Sequence, residues 1–96
     1  MPAYFVAEVE VTDPVAFQEY VKGAPATVAQ YGGTYVARGG AIEILEGSWA
    51  PKRLTIIRFE NVAAVKAWFD SPEYRPFKEI RKKTTQANLL VTEGLA

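Results

Sequence analysis

Apolar and polar side chains alternate along residues 4–11, and a period of two with β-branched members is typical of a strand. Residues 12–14 then supply a capping side chain and a proline suited to the first turn of a helix. Apolar residues recur at helical spacing from there to Tyr31, so the pattern predicts a helix that ends at the glycine pair beyond it. Pro25 lies within this helix, where its missing N–H predicts a kink or a break.

The rest of the chain predicts three further strands and two helical segments. Residues 34–38 form a strand that the following glycine pair should bend or bulge, and the strand resumes over residues 41–45. After a turn, residues 53–60 alternate as a third strand. The remaining elements are a short helix capped by Asn61, a helix restarted by the cap and proline of residues 71–73, and a last strand over residues 89–92.

These elements follow one another as strand, helix, two strands, helix and strand, within a single domain over residues 1–96. This βαββαβ order predicts an α+β, ferredoxin-like sandwich, in which two right-handed crossovers place the helices on one face of an antiparallel sheet. The other face would carry apolar side chains, namely Tyr4, Val6, Leu54, Ile56, Leu89 and Val91 or their neighbours. Because an uncovered apolar face promotes association, we expect a homodimer whose sheets pack face to face.

Composition narrows the chemistry available to such a domain. The chain has 11 basic and 11 acidic residues and no net charge, which argues against nucleic acid as a partner. The basic run over residues 78–83 is diluted by glutamate, so we interpret it as a solvated helix face. Cysteine and histidine are both absent, which removes thiolate chemistry, the commonest general base and the commonest metal and haem ligands. We therefore expect no metal and no cofactor, and proton transfer would fall to a carboxylate or a tyrosine.

Location follows from the same composition. No apolar run approaches the ~20 residues that span a bilayer, and the amino-terminal sequence lacks the pattern of a signal peptide. We expect a cytoplasmic protein with no membrane partner.

Several linked sequence blocks carry a family resemblance that spans nearly the whole chain. They are residues 31–33, residues 37–40, residues 45–47 with Trp49, Pro51 and Arg53, residues 71–74, Arg81, and residues 93–94. On these blocks the chain resembles the domain of unknown function 1330 family of the dimeric α/β-barrel superfamily. The resemblance implies a ferredoxin-like protomer and a homodimer whose sheets form a barrel, and it implies no reaction. Superfamily relatives include cofactor-free oxygenases, lactone isomerases, haem enzymes and ligand-sensing domains, so the fold alone leaves the function open.

The first candidate site surrounds the glycine-rich bend. Arg38 and Arg53 are candidates to hold an anionic or carbonyl-bearing ligand, because a planar guanidinium donates two parallel hydrogen bonds to a carboxylate. Glu43 and Glu46 accompany them, and Glu46 is a candidate to move a proton. Trp49 would form a stacking wall for the ligand. In the alternative interpretation these charges pair with one another and fix the turn, and Trp49 packs at the dimer edge.

The second candidate pair is Glu8 and Arg58, on strands that are central neighbours in this fold. Both side chains could face the space between the sheet and its partner, where a charge must be paired or hydrogen-bonded. Glu8 would then act as a general base, and Arg58 would stabilise negative charge. Alternatively, the pair serves only structural specificity, or either residue lies in solvent at a strand end.

Two functions remain open at this point. In the first, the dimer binds or transforms a small carbonyl-bearing or aromatic metabolite between sheet and helices, with Tyr74 and other tyrosines in the pocket wall. Cofactor-free isomerase, lyase or monooxygenase chemistry would then be the class of reaction. In the second, the protein is a non-catalytic dimeric module for ligand sensing or structural interaction. An enzyme predicts a pocket of roughly 300 Å³ or more with an arginine and a carboxylate, whereas a structural module predicts paired arginines around a packed interior.

Overall fold

A computed structural model describes residues 1–96 and contains four strands and three helices. In chain order these are β1 (Ala3–Val11), α1 (Pro14–Gln30), β2 (Thr34–Arg38), β3 (Leu54–Phe59), α2 (Val62–Phe69), α3 (Arg75–Thr84) and β4 (Thr85–Glu93). The strands form one antiparallel sheet in the order β2-β3-β1-β4, which confirms the predicted ferredoxin-like α+β fold. No helix combines the length and the hydropathy that crossing a bilayer requires.

An aromatic cluster joins the helices to one face of the sheet. Trp68 of α2 is fully buried, with its ring centroid 5.1 Å from that of Phe5 and 4.2 Å from that of Tyr74. Its indole Nε1 donates a 3.0 Å hydrogen bond to Thr27 Oγ1 on α1, so the buried N–H is satisfied. The cluster therefore fixes α1, α2 and the turn before α3 against the same strand.

Two predicted helix boundaries differ from the structure. The first helix runs without a break through Pro25, because buried Ala24 and Val28 hold it against the core on both sides of the proline. The helix predicted at residues 71–73 begins instead at Arg75. Ser71 Oγ donates to the carbonyl of Trp68 and accepts from the N–H of Tyr74, so it closes a turn between α2 and α3.

The strands also differ from the predicted pattern. Residues 41–45 form no strand, because the chain leaves the sheet at Gly39, whose φ is +67°. The last strand begins at Thr85, four residues before the predicted start. Leu89 and Val91 pack against the core on the helix side, so Leu90 is the β4 residue that joins the apolar set on the open face.

Candidate functional site

A small cavity lies between α1 and the sheet. Its volume is about 40 Å³, and its wall is built from β1, α1, β2, β3, α3 and the residue that precedes β3. Most of the lining is apolar or aromatic, with the rings of Phe5, Phe17, Tyr20 and Tyr35. The charged part of the lining consists of arginines alone: Arg38, Arg53 and Arg81.

A β-bulge in β2 turns Arg38 into this cavity. The pairing of β2 with β3 shifts register between Tyr35 and Ala37, so one residue of β2 has no partner. Regular alternation would place Arg38 on the same face as Thr34, away from the helices. With the extra residue, Arg38 lies opposite Thr55 and shares the cavity with it. The bulge therefore determines which face of the sheet carries this charge.

Aromatic rings and a close backbone approach position two of the guanidinium groups. The Cζ atom of Arg38 lies 4.7 Å from the ring centroid of Tyr35, and that of Arg53 lies 5.6 Å from the ring centroid of Phe17. These cation–π contacts orient the groups without neutralising them. Arg53 also packs on the backbone of Gly39, where an added Cβ would come within 2.5 Å of Arg53 Nη1. A side chain at position 39 would therefore displace the guanidinium of Arg53 from this place.

Arg81 is the most deeply buried of the three arginines. It lies in the last turn of α3 with 7% of its surface exposed, and its Nε is the one buried side-chain polar atom of the chain without a hydrogen-bond partner. No carboxylate lies within 4.0 Å of any of the three guanidiniums, because every ion pair of the chain involves a lysine. Three like charges therefore share a cavity without a counter-ion, which makes it strongly electropositive.

Two tyrosine hydroxyl groups meet beside the arginines. The hydroxyl oxygens of Tyr20 and Tyr74 lie 2.8 Å apart in a hydrogen bond in which either can donate. Burial raises the pKa of Tyr20 far above its ordinary value, and the contact with Tyr74 adds to this effect. Burial also raises the pKa of Tyr35, against the opposing influence of Arg38. The hydroxyls of Tyr20 and Tyr35 stay protonated, so the cavity offers hydrogen-bond donors, and its lining contains no carboxylate that would act as a base.

The structure brings together three of the residues that the sequence proposes for ligand binding. Arg38 and Arg53 line the cavity, and Tyr74 reaches it through its contact with Tyr20. Tyr20 and Tyr35, two of the tyrosines that the sequence offers for the pocket wall, line the cavity, whereas sequence reasoning placed Arg81 on a solvated helix face. The one sequence feature that marked Arg81 as a candidate was its place among the residues that carry the family resemblance. Its burial depends on the packing of α3 and could not be read from the basic run itself.

Glu8 and Trp49 lie on the opposite face of the sheet. Trp49 Nε1 donates a 2.8 Å hydrogen bond to one carboxylate oxygen of Glu8, and Asn88 Nδ2 donates a 3.0 Å hydrogen bond to the other. Arg58 is on this face too, but it pairs with Tyr4, four residues along β1 from Glu8. Their backbone positions are about 13 Å apart at the rise of a strand, so the two charges do not meet within one protomer.

Glu43 and Glu46 lie in the segment of residues 39–53, which is exposed over residues 39–50. Neither forms an ion pair or a side-chain hydrogen bond, and the turn is not fixed by pairing them with Arg38 or Arg53. The ends of the segment are held by backbone hydrogen bonds of 2.9 Å, one from Gly39 N to Leu54 O and one from Val9 N to Arg53 O.

The site agrees with neither the enzyme pocket nor the structural module that the sequence left open. The cavity is well below the roughly 300 Å³ expected for an enzyme pocket, and it has no carboxylate. Its arginines are not paired at the rim either, as a purely structural module would require. No three side chains of Asp, Glu, His or Cys gather in a group that could hold a metal ion. The arrangement is a cluster of positively charged hydrogen-bond donors against aromatic walls.

Solved structures with the same fold cover nearly the whole chain. A protein of unknown function from Rhodopseudomonas palustris superposes with a TM-score of 0.81 at 18% identity, covering 99% of this chain and 83% of its own. A dimeric ferredoxin-like protein of unknown function from Jannaschia sp. CCS1 gives a TM-score of 0.79 at 12% identity, covering 98% and 100%. SnoaB, a cofactor-independent oxygenase from Streptomyces nogalater, gives 0.70 at 14% identity, covering 99% and 94%. At these identities the likeness concerns the fold alone.

Sequence comparison gives the family. No curated protein matches the chain significantly. The family model described as Domain of unknown function (DUF1330) matches residues 2–95, which is nearly the full length and agrees with the glycine-rich blocks noted above. The chain therefore belongs to the DUF1330 family.

Proposed function

We propose that this protein is a homodimer that binds a small carbonyl-bearing or aromatic metabolite in the cavity between α1 and the sheet, without a metal. The observation that carries the proposal is a set of unpaired guanidinium groups held over aromatic rings in one cavity. Arg38 and Arg53 would donate hydrogen bonds to the ligand oxygens, and the Tyr20–Tyr74 pair would supply a further hydroxyl donor. Phe17 would form part of the apolar wall.

Binding is favoured over acid–base catalysis in this cavity. Protonated tyrosines and arginines stabilise negative charge on a ligand oxygen, but they remove no proton near neutral pH. The catalytic roles suggested for Glu8, Glu46 and Arg58 stay predictions, and they would require a ligand on the open face or under the exposed segment. SnoaB, which shares this fold, is a cofactor-independent oxygenase. Because the cavity of this chain supplies hydrogen-bond donors and no base, a substrate for such a reaction would have to carry its own acidic proton.

The homodimer follows from the open face of the sheet. Its apolar members are neighbours across three strands, namely Tyr4 and Val6 of β1, Leu54 and Ile56 of β3, and Leu90 of β4, with Leu90 56% exposed. A second copy is the occupant that we propose, because an identical face is self-complementary about a twofold axis. The dimeric neighbour from Jannaschia sp. CCS1 supports this arrangement. A cytoplasmic location stays a prediction.

The binding proposal is tested by native mass spectrometry of the purified protein and by calorimetric titration with a panel of aromatic and carbonyl compounds. We expect Arg53→Gln to weaken binding at least tenfold, because a charge-assisted hydrogen bond to the ligand is lost. Arg75→Gln makes the same change of charge at an exposed position outside the cavity and should leave affinity unchanged. A wild-type protein that carries no ligand and binds no member of the panel contradicts the proposal.

The dimer is tested by light scattering coupled to gel filtration. Ile56→Lys places a charge in the middle of the open face and should shift the protein to monomer. Val15→Lys is the matched control, because Val15 is 84% exposed on the helix side. A wild-type protein that runs as a monomer at micromolar concentration overturns this part of the proposal.

A further inference from the structure

The buried guanidinium of Arg81 defines the class of ligand more narrowly than the cavity as a whole. Its Nε–H is directed at neither solvent nor a protein acceptor, and a buried donor without a partner is rare in native structures. The carbonyl groups at the carboxyl end of α3 partly offset the positive charge of Arg81, because Arg81 lies in the last turn of that helix. They do not accept the Nε hydrogen, so the group still lacks an acceptor.

The charge balance of the wall indicates what the missing acceptor is. Three guanidiniums and no Asp or Glu contribute to the lining, from β2, the start of β3 and α3. A neutral carbonyl would satisfy one donor but would leave the positive charges uncompensated in a partly buried space. A carboxylate satisfies both needs, because its two oxygens accept parallel hydrogen bonds from a guanidinium and its charge compensates the cluster.

The size of the cavity restricts how much of the ligand enters. A volume of about 40 Å³ exceeds the roughly 10–15 Å³ that a cavity needs to hold one water molecule and is well below the roughly 150 Å³ of a cavity that binds benzene, so it admits a carboxylate group but not an aromatic ring. The exposed members of the lining, Val21 and Arg38, mark the mouth. The body of the ligand would therefore rest at the mouth, against α1 and the end of β2, while its head group lies inside.

We infer that the ligand of this cavity is a small organic acid whose carboxylate binds the guanidinium of Arg81, with Arg38 and Arg53 completing the anion site. This inference rests on the proposed function and deepens it by naming the ligand class. Arg81 is then a ligand-binding residue of this cavity.

The test is calorimetric titration of the full-length protein with matched pairs of acids and neutral amides. The probes are acetate with acetamide, benzoate with benzamide, and inorganic phosphate as a different anion. We expect each acid to bind at least tenfold more tightly than its amide, and phosphate to bind more weakly than acetate. Arg81→Gln should remove the preference for the acid, and Arg81→Lys should keep part of it because the charge remains. Arg75→Gln, which changes an exposed arginine at the start of the same helix, should keep the wild-type preference.

The outcomes separate this inference from the proposed function. Equal affinity for benzoate and benzamide overturns the carboxylate site while binding of aromatic or carbonyl compounds stands. Tight binding of phosphate overturns the carboxylate class, and acid binding that Arg81→Gln and Arg81→Lys leave unchanged overturns the role of Arg81. If no probe binds and the purified protein carries no ligand, the proposed function itself fails. Should Arg81→Gln not fold, Arg81→Lys and the acid–amide pairs on the wild type decide the question.

Discussion

Replacing Arg81 with methionine should stabilise the unliganded protein. Methionine keeps the apolar stem of the arginine side chain as far as the position of Nε, so the packing of that stem between α3 and the sheet is retained. The substitution removes the guanidinium, whose Nε is buried without a hydrogen-bond partner. It also removes one of three neighbouring positive charges that have no counter-ion.

The size of the effect follows from two opposing contributions. A buried donor without a partner costs roughly 1–3 kcal/mol. The favourable interaction of Arg81 with the carboxyl end of α3 is worth about 0.3–1 kcal/mol and is lost in the variant. The desolvation cost is the larger of the two, so we expect the free energy of unfolding to rise by about 1–2 kcal/mol. For a chain of 96 residues this corresponds to a rise in Tm of roughly 5–10 °C.

Urea unfolding followed by circular dichroism measures this difference at low salt. Arg75→Met, which removes an exposed arginine from the start of α3, should stay within about 0.5 kcal/mol of the wild type. Added benzoate should stabilise the wild type and Arg75→Met but not Arg81→Met, because only the first two retain the anion site. A loss of more than about 1 kcal/mol in Arg81→Met without ligand would refute the reasoning, since it would mean that Arg81 makes a net favourable contact in the folded chain.

Two further predictions concern the positioning of Arg53 and the pH dependence of stability. Gly39→Ala introduces a methyl group 2.5 Å from Arg53 Nη1 at a φ of +67°. Calorimetry should therefore show benzoate affinity reduced about tenfold, and urea unfolding should show a loss of about 1–2 kcal/mol in the free energy of unfolding. Gly40→Ala, whose added methyl group meets no atom within 4 Å, is the control, and equal behaviour of the two variants would contradict the close packing. The hydrogen bond from the Tyr31 hydroxyl holds the pKa of Glu73 below its ordinary value of 4.5, so the folded state binds that proton less readily than the unfolded state. Its contribution to stability is present above pH 4.5 and is lost as the pH falls through the lower folded pKa, so the stability difference between wild type and Tyr31→Phe should shrink on acidification. Urea unfolding at several pH values checks this, and a difference that grows towards low pH would have the wrong sign.

Local sequence signals predicted the order and the class of the elements. Alternation in β1 and the helical period that follows are properties of a few neighbouring residues, and the caps act over three residues. Asp13 and Asn61 accept hydrogen bonds from the N–H groups of Ala16 and Ala64, as expected for N-caps. The fold class and the apolar open face follow from this order, because the ferredoxin-like connection leaves one face of the sheet without helices. The family resemblance was confirmed by the match over residues 2–95.

Only the tertiary structure determined the composition of the candidate site. The sequence proposed Arg38 and Arg53, but the bulge that turns Arg38 inward depends on how β2 pairs with β3, a strand sixteen or more residues away along the chain. It placed Arg81 in solvent, because a basic run at the end of a helix is usually exposed and nothing local marks the turn that faces the core. It grouped Glu8 with Arg58, whereas strand register separates them along β1. Hydrophobic periodicity specifies which faces are buried, while strand register and helix packing are long-range and decide which charges those faces bring together.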